Sequence, residues 1–322
     1  MVLAMKKTLW VLLYIAVFIG SAVIFGPMIY KSYTSDETSK VKWNDSVGTV
    51  LMDFSYGEKP ANKYDLYLPA DKSRNHYGLI GYFHGGGFHG GDKEGDAPIL
   101  KWLASRGYVA AGINYTLNVD GDPSTSILNM TLELKEGMKA AVDKAEELGY
   151  HIDNVATGGG SAGSLLAMVY AFRDADDAPV PVAFTFQAAG PSYTDPREFG
   201  QCKGFKTPED RASAMRFFNV FLGLDVQEED LDNGAWMEKI KVVSPALQIN
   251  EMSVPMLFSH GCVDHIVPYS QAEHLLEALD SHHVPYDFIQ FDRGGHNMGW
   301  QPKKQQQFLN TLKEYLTRYM PL

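Results

Sequence analysis

The stretch Gly158-Gly159-Gly160-Ser161-Ala162-Gly163-Ser164 decides the fold that we predict for this chain. It follows a short, partly β-branched segment at residues 154–157 and precedes an apolar segment at residues 165–170 that is typical of a helix. A strand, a tight glycine turn with a serine at its tip, and a helix form the context that a G-x-S-x-G motif requires. In that context the serine backbone is strained, and a side chain at position 159 or 163 would collide with the neighbouring strand or helix.

The same stretch has a second interpretation, a glycine-rich turn that only packs tightly or binds a phosphate. The chain contains 30 glycines in 322 residues, so the motif alone is weak evidence of catalysis. The following helix would direct its free N–H groups and positive partial charge toward the Ser161 oxygen. Catalysis would further require a base, an orienting acid and a second set of N–H donors for an oxyanion.

From the third predicted strand onward, segments typical of strands alternate with segments typical of helices. This alternation predicts an α/β fold whose mostly parallel, eight-stranded sheet is covered by helices on both faces. Residues 191–252 separate two predicted strands by much more than an ordinary crossover, so we expect a helical, cap-like insertion before the penultimate strand. The insertion either only covers apolar surface or also roofs a substrate pocket.

The composition excludes some classes of protein. A formal net charge of −11 argues against nucleic acid as a partner. The two cysteines, Cys202 and Cys262, lie far apart and outside any metal-ligand spacing, and unpaired thiols are favoured over a disulfide. We therefore expect no cofactor and leave the oligomeric state open.

The N-terminus predicts a membrane segment. Residues 8–30 contain no charged side chain, and this run is longer than a secretory apolar core of about 7–15 residues. Lys6 and Lys7 should remain cytoplasmic. We predict a signal anchor at residues 1–30, a tether at 31–46 and an extracytoplasmic domain at 47–322, on a single-pass protein of the cell membrane. The alternative is a cleaved signal peptide and a secreted protein.

Two further residues could complete a catalytic group with Ser161. Asp264 follows the predicted strand at residues 254–259, and His296 follows the last predicted strand, at residues 286–291. In an open parallel sheet, functional side chains collect at the carboxyl ends of strands. Taken singly, the aspartate could be a turn or helix cap and the histidine an exposed loop residue. Together, their order and placement behind the Ser161 turn favour a triad.

Other residues compete for these roles. His260 lies at a strand end and His265 adjoins Asp264, so neither lies on the loop that should overhang the serine. Asp292 is too near His296 in sequence to be its preferred partner.

The segment His84-Gly85-Gly86-Gly87 follows the third predicted strand. An anionic tetrahedral intermediate needs N–H donors that reach it without side chains in the way, and consecutive glycines allow this. We predict that Gly86 and Gly87, with Ala162, form an oxyanion hole. A metal site built from His84, His89 and Asp92 is the less favoured interpretation, because a glycine run suits backbone donors better than side-chain ligands.

These motifs resemble the α/β-hydrolase superfamily, in its branch of HGGG-containing carboxylesterases related to the hormone-sensitive-lipase group. The resemblance covers about residues 47–322. The residues that carry it are Tyr64-Asp65-Leu66-Tyr67-Leu68-Pro69, His84-Gly85-Gly86-Gly87-Phe88, Asn114-Tyr115, the motif around Ser161, Asp264 with Val267-Pro268, and Gly295-His296.

Two departures shift the resemblance toward acetyl-esterase and feruloyl-esterase-like relatives. Gly160 precedes the serine, where the hormone-sensitive-lipase branch often has an acidic residue. His-Ile-Val-Pro follows Asp264, where that branch has an Asp-Pro pattern. The resemblance implies an α/β-hydrolase fold and a serine carboxylesterase that cleaves a small-molecule ester of short-to-medium acyl length. The alternatives are a prolyl-oligopeptidase-like serine peptidase and an inactive, membrane-tethered binding protein.

Overall fold

The computed structural model describes residues 37–299 and 301–322. The predicted signal anchor and the first residues of the predicted tether lie outside this part of the chain, so the membrane location stays a prediction. Within the described residues, no helix is both long enough and apolar enough to cross a bilayer.

In the part of the chain that the structure describes, eight strands form one sheet, which confirms the predicted α/β class and strand count. The strands are β1 (Gly48–Ser55), β2 (Lys63–Pro69), β3 (Tyr77–Phe83), β4 (Val109–Ile113), β5 (Ile152–Gly160), β6 (Val182–Ala188), β7 (Met256–Gly261) and β8 (Tyr286–Phe291). The strand order is β1-β2-β4-β3-β5-β6-β7-β8. Strand β2 pairs antiparallel with β1 and β4, whereas all pairs from β3 to β8 are parallel.

Helices cover both faces of the sheet. The α-helices of the described residues are α1 (Ala97–Ala104), α2 (Ile127–Glu147), α3 (Ala162–Arg173), α4 (Pro208–Arg216), α5 (Glu228–Asn233), α6 (Trp236–Lys239), α7 (Ser270–Ser281) and α8 (Pro302–Tyr319). Trp102 of α1 and Tyr315 of α8 are buried in the core on one face. Leu134 of α2 and Leu165 of α3 are buried in the core on the other.

The long connection between β6 and β7 contains several short helices. It contains α4, a π-helical turn at Phe217–Leu222, and the short helices α5 and α6. Phe217, Phe218 and Trp236 are buried in the same core as α2 and α3. The connection therefore packs over the face of the sheet that carries the helix following Ser161.

A polar cluster attaches the start of this connection to helix α7. The Glu198 carboxylate accepts hydrogen bonds from Ser270 Oγ at 2.8 Å and from Gln271 Nε2 and His274 Nε2, both at 2.6 Å. The fully buried Gln271 side chain also accepts from the backbone N–H of Ser192 at 2.7 Å. Side chains on the first turns of α7 thus fix the segment that leads from β6 into the helical connection.

The two charged members of this cluster stabilise each other's ionised form. Burial opposes ionisation of Glu198, but its hydrogen bonds from His274, Ser270 and Gln271 outweigh this effect and lower its pKa. The hydrogen bond to Glu198 raises the pKa of His274 despite partial burial, and Glu277 and Glu273 on the same helix act in the same direction. The ion pair is therefore complete only while both groups carry charge.

We predict that His274→Gln destabilises the protein most in mildly acidic solution. The raised pKa of His274 stabilises the fold fully below its unfolded value of 6.5 and stops doing so as pH rises through the folded pKa. The lowered pKa of Glu198 stabilises the fold above its unfolded value of 4.5 and stops doing so as pH falls through the folded pKa. Between pH 4.5 and pH 6.5, the substitution should lower the free energy of unfolding by roughly 1 kcal/mol, and near pH 9 the loss should be smaller.

Urea denaturation at several pH values measures this difference. The control is His282→Gln, which changes a partly exposed histidine directly after the same helix. A His274→Gln loss that does not vary with pH would contradict the ion-pair assignment.

Candidate active site

Ser161 occupies the sharp turn between β5 and α3. Its backbone angles are φ 53° and ψ −120°, a conformation that non-glycine residues rarely adopt. A Cβ atom on Gly159 would lie 2.4 Å from the carbonyl carbon of Gly163, and one on Gly163 would lie 1.9 Å from the Phe83 carbonyl oxygen. These close approaches confirm the steric prediction for both glycines, and they explain how strand, turn and helix can pack so tightly.

The structure brings Ser161, His296 and Asp264 together. His296 Nε2 lies 2.8 Å from Ser161 Oγ, and His296 Nδ1 lies 2.8 Å from Asp264 Oδ2. The three residues come from the ends of β5, β7 and β8 and are separated by more than 30 residues in sequence. Their side chains form one continuous hydrogen-bonded chain from carboxylate to hydroxyl.

The surroundings of Asp264 suit a side chain that orients an imidazole. Its side chain is fully buried. Oδ1 accepts the backbone N–H groups of Ile266 and Val267, at 2.9 and 3.0 Å, which leaves Oδ2 for His296. An Nδ1–H donated to Asp264 leaves the His296 Nε2 lone pair facing the serine hydroxyl. Asp264 therefore caps its own loop rather than helix α7, which begins at Ser270.

The competing residues lie elsewhere. His265 is exposed, and exposed Asp292 accepts a hydrogen bond from Gln290 Nε2 at 2.9 Å. His260 is fully buried beneath the site, where Nε2 donates to the Val267 carbonyl oxygen at 3.0 Å and lies 3.8 Å from Asp264 Oδ2. Burial lowers the pKa of His260, which favours a neutral ring. His260 thus supports the Asp264 loop, a role that sequence order alone did not indicate.

The glycine segment after β3 lies against the Ser161 turn. A Cβ atom on Gly85 would lie 2.9 Å from the Gly160 carbonyl oxygen. Gly86 and Gly87 have φ of 127° and 62°, which favour glycine. Among the described residues, the N–H groups of Gly86 and Gly87 have no hydrogen-bond acceptor. Gly87 lines the same cavity as Ser161 and Ala162, whereas Gly86 does not line it.

His84 supports this segment rather than binding a metal. Its Nδ1 lies 2.8 Å from the Gly85 carbonyl oxygen, and its ring stacks on Tyr115, whose hydroxyl donates to the His84 carbonyl oxygen at 2.8 Å. Burial lowers the pKa of His84. His89 and Asp92 have separate partners, Asn118 and Asn114. Within the described residues, His84, His89 and Asp92 do not form a group close enough to hold an ion.

A cavity of about 260 Å³ opens at Ser161. Its walls are mostly apolar, and the connection between β6 and β7 supplies much of its roof. The lining residues are Gly87, Phe88, Ile127, Ser161, Ala162, Leu165, Pro191, Thr194, Phe199, Gln201, Phe217, Phe221, Leu222, Ile266 and Val267.

A second cavity of about 450 Å³ adjoins the first and is more polar. Gln201, Phe217 and Phe221 line both cavities. The Phe221 ring is held by contacts with Phe88 and Phe217, at centroid distances of 5.7 and 5.4 Å, and stacks on His89 at 5.9 Å. Phe221 is therefore part of the partition between the cavities, a role that the sequence pattern of the insertion did not predict. The second cavity is lined by His89, Asn118, Asp120, Gly121, Gln201, Ser213, Arg216, Phe217, Val220 and Phe221.

Curated relatives of this chain include named esterases. It is 23% identical over 255 residues to a probable isoprenylcysteine alpha-carbonyl methylesterase, ICMEL1, of Oryza sativa subsp. japonica, covering 75% of this chain and 55% of that one. It is 25% identical over 267 residues to a probable carboxylic ester hydrolase, LipM, of Mycobacterium tuberculosis, covering 81% of this chain and 56% of that one. The chain thus spans about half the length of the curated relatives it matches.

A solved structure and a family model agree with the fold. Propionate-bound Est2, an esterase of the planctomycete Thermogutta terrifontis, superposes with a TM-score of 0.63 at 19% identity, covering 87% of this chain and 97% of that one. The model of the BD-FAE family matches residues 64–279, which include the Ser161 turn, the Asp264 loop and the intervening connection. This chain therefore belongs to the BD-FAE family, an α/β-hydrolase esterase family.

Proposed function

We propose that this protein is a serine carboxylesterase that hydrolyses short-to-medium acyl esters through an acyl-enzyme intermediate. The observation that carries the proposal is the position of His296, whose two ring nitrogens lie 2.8 Å from Ser161 Oγ and from Asp264 Oδ2. This is the hydrogen-bond reach that a general base and its orienting acid require. The family and the named relatives support an ester as the substrate.

In the first step, Ser161 Oγ attacks the ester carbonyl carbon while His296 Nε2 takes the hydroxyl proton. The Asp264 carboxylate holds the ring and stabilises the imidazolium that forms. His296 then protonates the leaving alcohol, and the carbonyl re-forms as an ester of Ser161. In the second step, His296 activates water, which releases the acid and restores the serine hydroxyl.

Charge on the former carbonyl oxygen must be stabilised in both steps. We assign this role to the N–H groups of Gly86, Gly87 and Ala162. Support comes from the free N–H groups of the two glycines and from the position of Ala162 at the first residue of α3, where the helix dipole favours negative charge. Removing one such donor typically costs about 3–4 kcal/mol of transition-state stabilisation.

The cavity at Ser161 supports a small acyl group. Its volume of about 260 Å³ lies below the roughly 300–1,000 Å³ of pockets that hold drug-sized ligands. Apolar walls exclude water from a hydrocarbon chain and stabilise it by burial. The binding of propionate by Est2, a protein with the same fold, agrees with this size class.

We predict that Ser161→Ala abolishes ester hydrolysis without unfolding the protein. Removal of the attacking oxygen should lower kcat on p-nitrophenyl butyrate by at least about 10⁴-fold, because histidine and aspartate cannot form the acyl-enzyme. Steady-state kinetics of the two proteins, with circular dichroism to verify folding, measure the effect.

The matched control for this test is Ser281→Ala, which changes an exposed serine at the end of α7 and should retain full activity. Equal hydrolysis by wild type and Ser161→Ala would sink the proposal. A folded wild-type protein that cleaves no ester would favour the inactive binding protein, and preferential cleavage of peptides would favour the peptidase.

We predict that Phe221→Ala shifts acyl preference toward longer chains. Removal of the ring enlarges the cavity at Ser161 toward its neighbour, so a longer chain no longer meets a wall. The ratio of kcat/KM for p-nitrophenyl hexanoate to that for the acetate should rise about tenfold, the lower end of what one or two methylenes contribute to discrimination. The control is Val220→Ala, because Val220 lines only the second cavity. If Phe221→Ala leaves this ratio unchanged, the Phe221 ring does not separate the two cavities.

A further inference from the structure

A group of metal-ligating side chains lies at the amino ends of the central strands β3 and β5, whereas Ser161 lies at the carboxyl end of β5. His76 immediately precedes β3, and His151 and Asp153 lie at the start of β5. Among the described residues, these three form the one group of histidine, cysteine or acidic side chains whose ligand atoms all lie within 4.8 Å of one another. We propose that His76, His151 and Asp153 bind a borderline transition-metal ion, with Zn²⁺ as the physiological example.

The backbone brings the three side chains to one surface. Tyr77 and Ile152 are register partners in the parallel pair β3 and β5, and the Tyr77 N–H donates to the His151 carbonyl oxygen at 2.8 Å. Tyr77 and Ile152 are both buried. Because side chains alternate along a strand, the residues on either side of them project outward. The sheet therefore fixes the spacing of His76, His151 and Asp153.

The donor atoms are close to the spacing that a tetrahedral ion needs. His76 Nδ1 lies 2.8 Å from Asp153 Oδ2, and His151 Nε2 lies 3.5 Å from Asp153 Oδ1. Bond lengths of about 2.0–2.1 Å around a tetrahedral ion put neighbouring ligand atoms roughly 3.4 Å apart. All three side chains are exposed, so small rotations suffice to admit an ion, and the backbone need not move.

Glu146, at the end of α2, orients His151 for this role. Its carboxylate oxygens lie 3.2 and 3.3 Å from His151 Nδ1, and Oε1 accepts the Ile152 N–H at 2.6 Å. A proton on Nδ1 donated to Glu146 leaves the Nε2 lone pair facing Asp153 and His76. Metal-bound histidines usually donate their second ring nitrogen to a carboxylate or carbonyl in this way.

The donor set selects the class of ion. Two imidazoles and one carboxylate suit Zn²⁺, Cu²⁺ or Ni²⁺, whereas Mg²⁺ and Ca²⁺ prefer oxygen ligands. A fourth position remains for water. The ion would join β3 to β5 far from Ser161, so its role would be to stabilise the sheet, and hydrolysis would not depend on it. This proposal departs from the sequence-based expectation of no metal and is independent of the proposed esterase activity.

Calorimetric titration of the tag-free, full-length chain in detergent with Zn²⁺ at pH 7.5 tests the proposal. We expect one equivalent to bind, and saturating Zn²⁺ to raise Tm by about 2–5 °C. Mg²⁺ should have no effect. His76→Gln and His151→Gln should each weaken binding at least tenfold and remove the rise in Tm.

The matched control is His282→Gln, which removes a partly exposed histidine elsewhere and should bind Zn²⁺ like the wild type. Both histidine variants change exposed side chains, and an unchanged Tm without metal would verify that they fold. Stoichiometric binding that survives His76→Gln and His151→Gln, or no binding by the wild type, would overturn the proposal.

Discussion

The backbone strain at Ser161 is the constraint on which the site depends. The residue is held at a positive φ because α3 packs so closely against β5 and β3 that glycine is required on both sides of the turn. Such strain costs on the order of 1–3 kcal/mol and persists only where the surrounding structure compensates. Here the compensation comes from the sheet, since the Ser161 N–H donates to the Ala188 carbonyl oxygen at 2.8 Å. The serine oxygen is thereby presented above the strand ends.

The other groups of the site are held by hydrogen bonds and packing contacts with neighbouring residues. Asp264 is held by two backbone N–H groups and lies next to the buried, neutral His260. The glycine segment after β3 is held by His84 and Tyr115. The roof of the cavity is attached to α7 through Glu198. The supports around Asp264 are local contacts, whereas Tyr115 and Glu198 contact residues distant in sequence. The catalytic geometry therefore depends on both the local loops and the whole fold.

Local patterns were sufficient to predict most of the strands and helices. They also predicted that Asp264 and His296 meet Ser161. The last strand was predicted at residues 286–291, and the structure has a strand at the same residues. This prediction was accurate because turn residues bound the segment on both sides. The strand leading to Ser161 was recognised only in part. It begins at Ile152, where the exposed residues His151 and Asp153 flank the first inward side chain and obscure the pattern.

Several features could not be predicted because they depend on tertiary contacts. His260 precedes Asp264 by only four residues, but its burial beneath that carboxylate depends on how the intervening loop folds against the sheet. The partition at Phe221 depends on how an irregular, helical connection folds against Phe88 and His89. His76 comes close to His151 only because β3 pairs with β5. In sequence these two strands are separated by α1, β4 and α2.

Reaction with a fluorophosphonate, which modifies activated serine hydroxyls, tests most directly whether His296 activates Ser161. We expect one adduct per chain, located on Ser161 by peptide mass spectrometry, and we expect His296→Ala to lose it because the base is then absent. An adduct on a different residue, or modification of His296→Ala at the wild-type rate, would contradict this expectation.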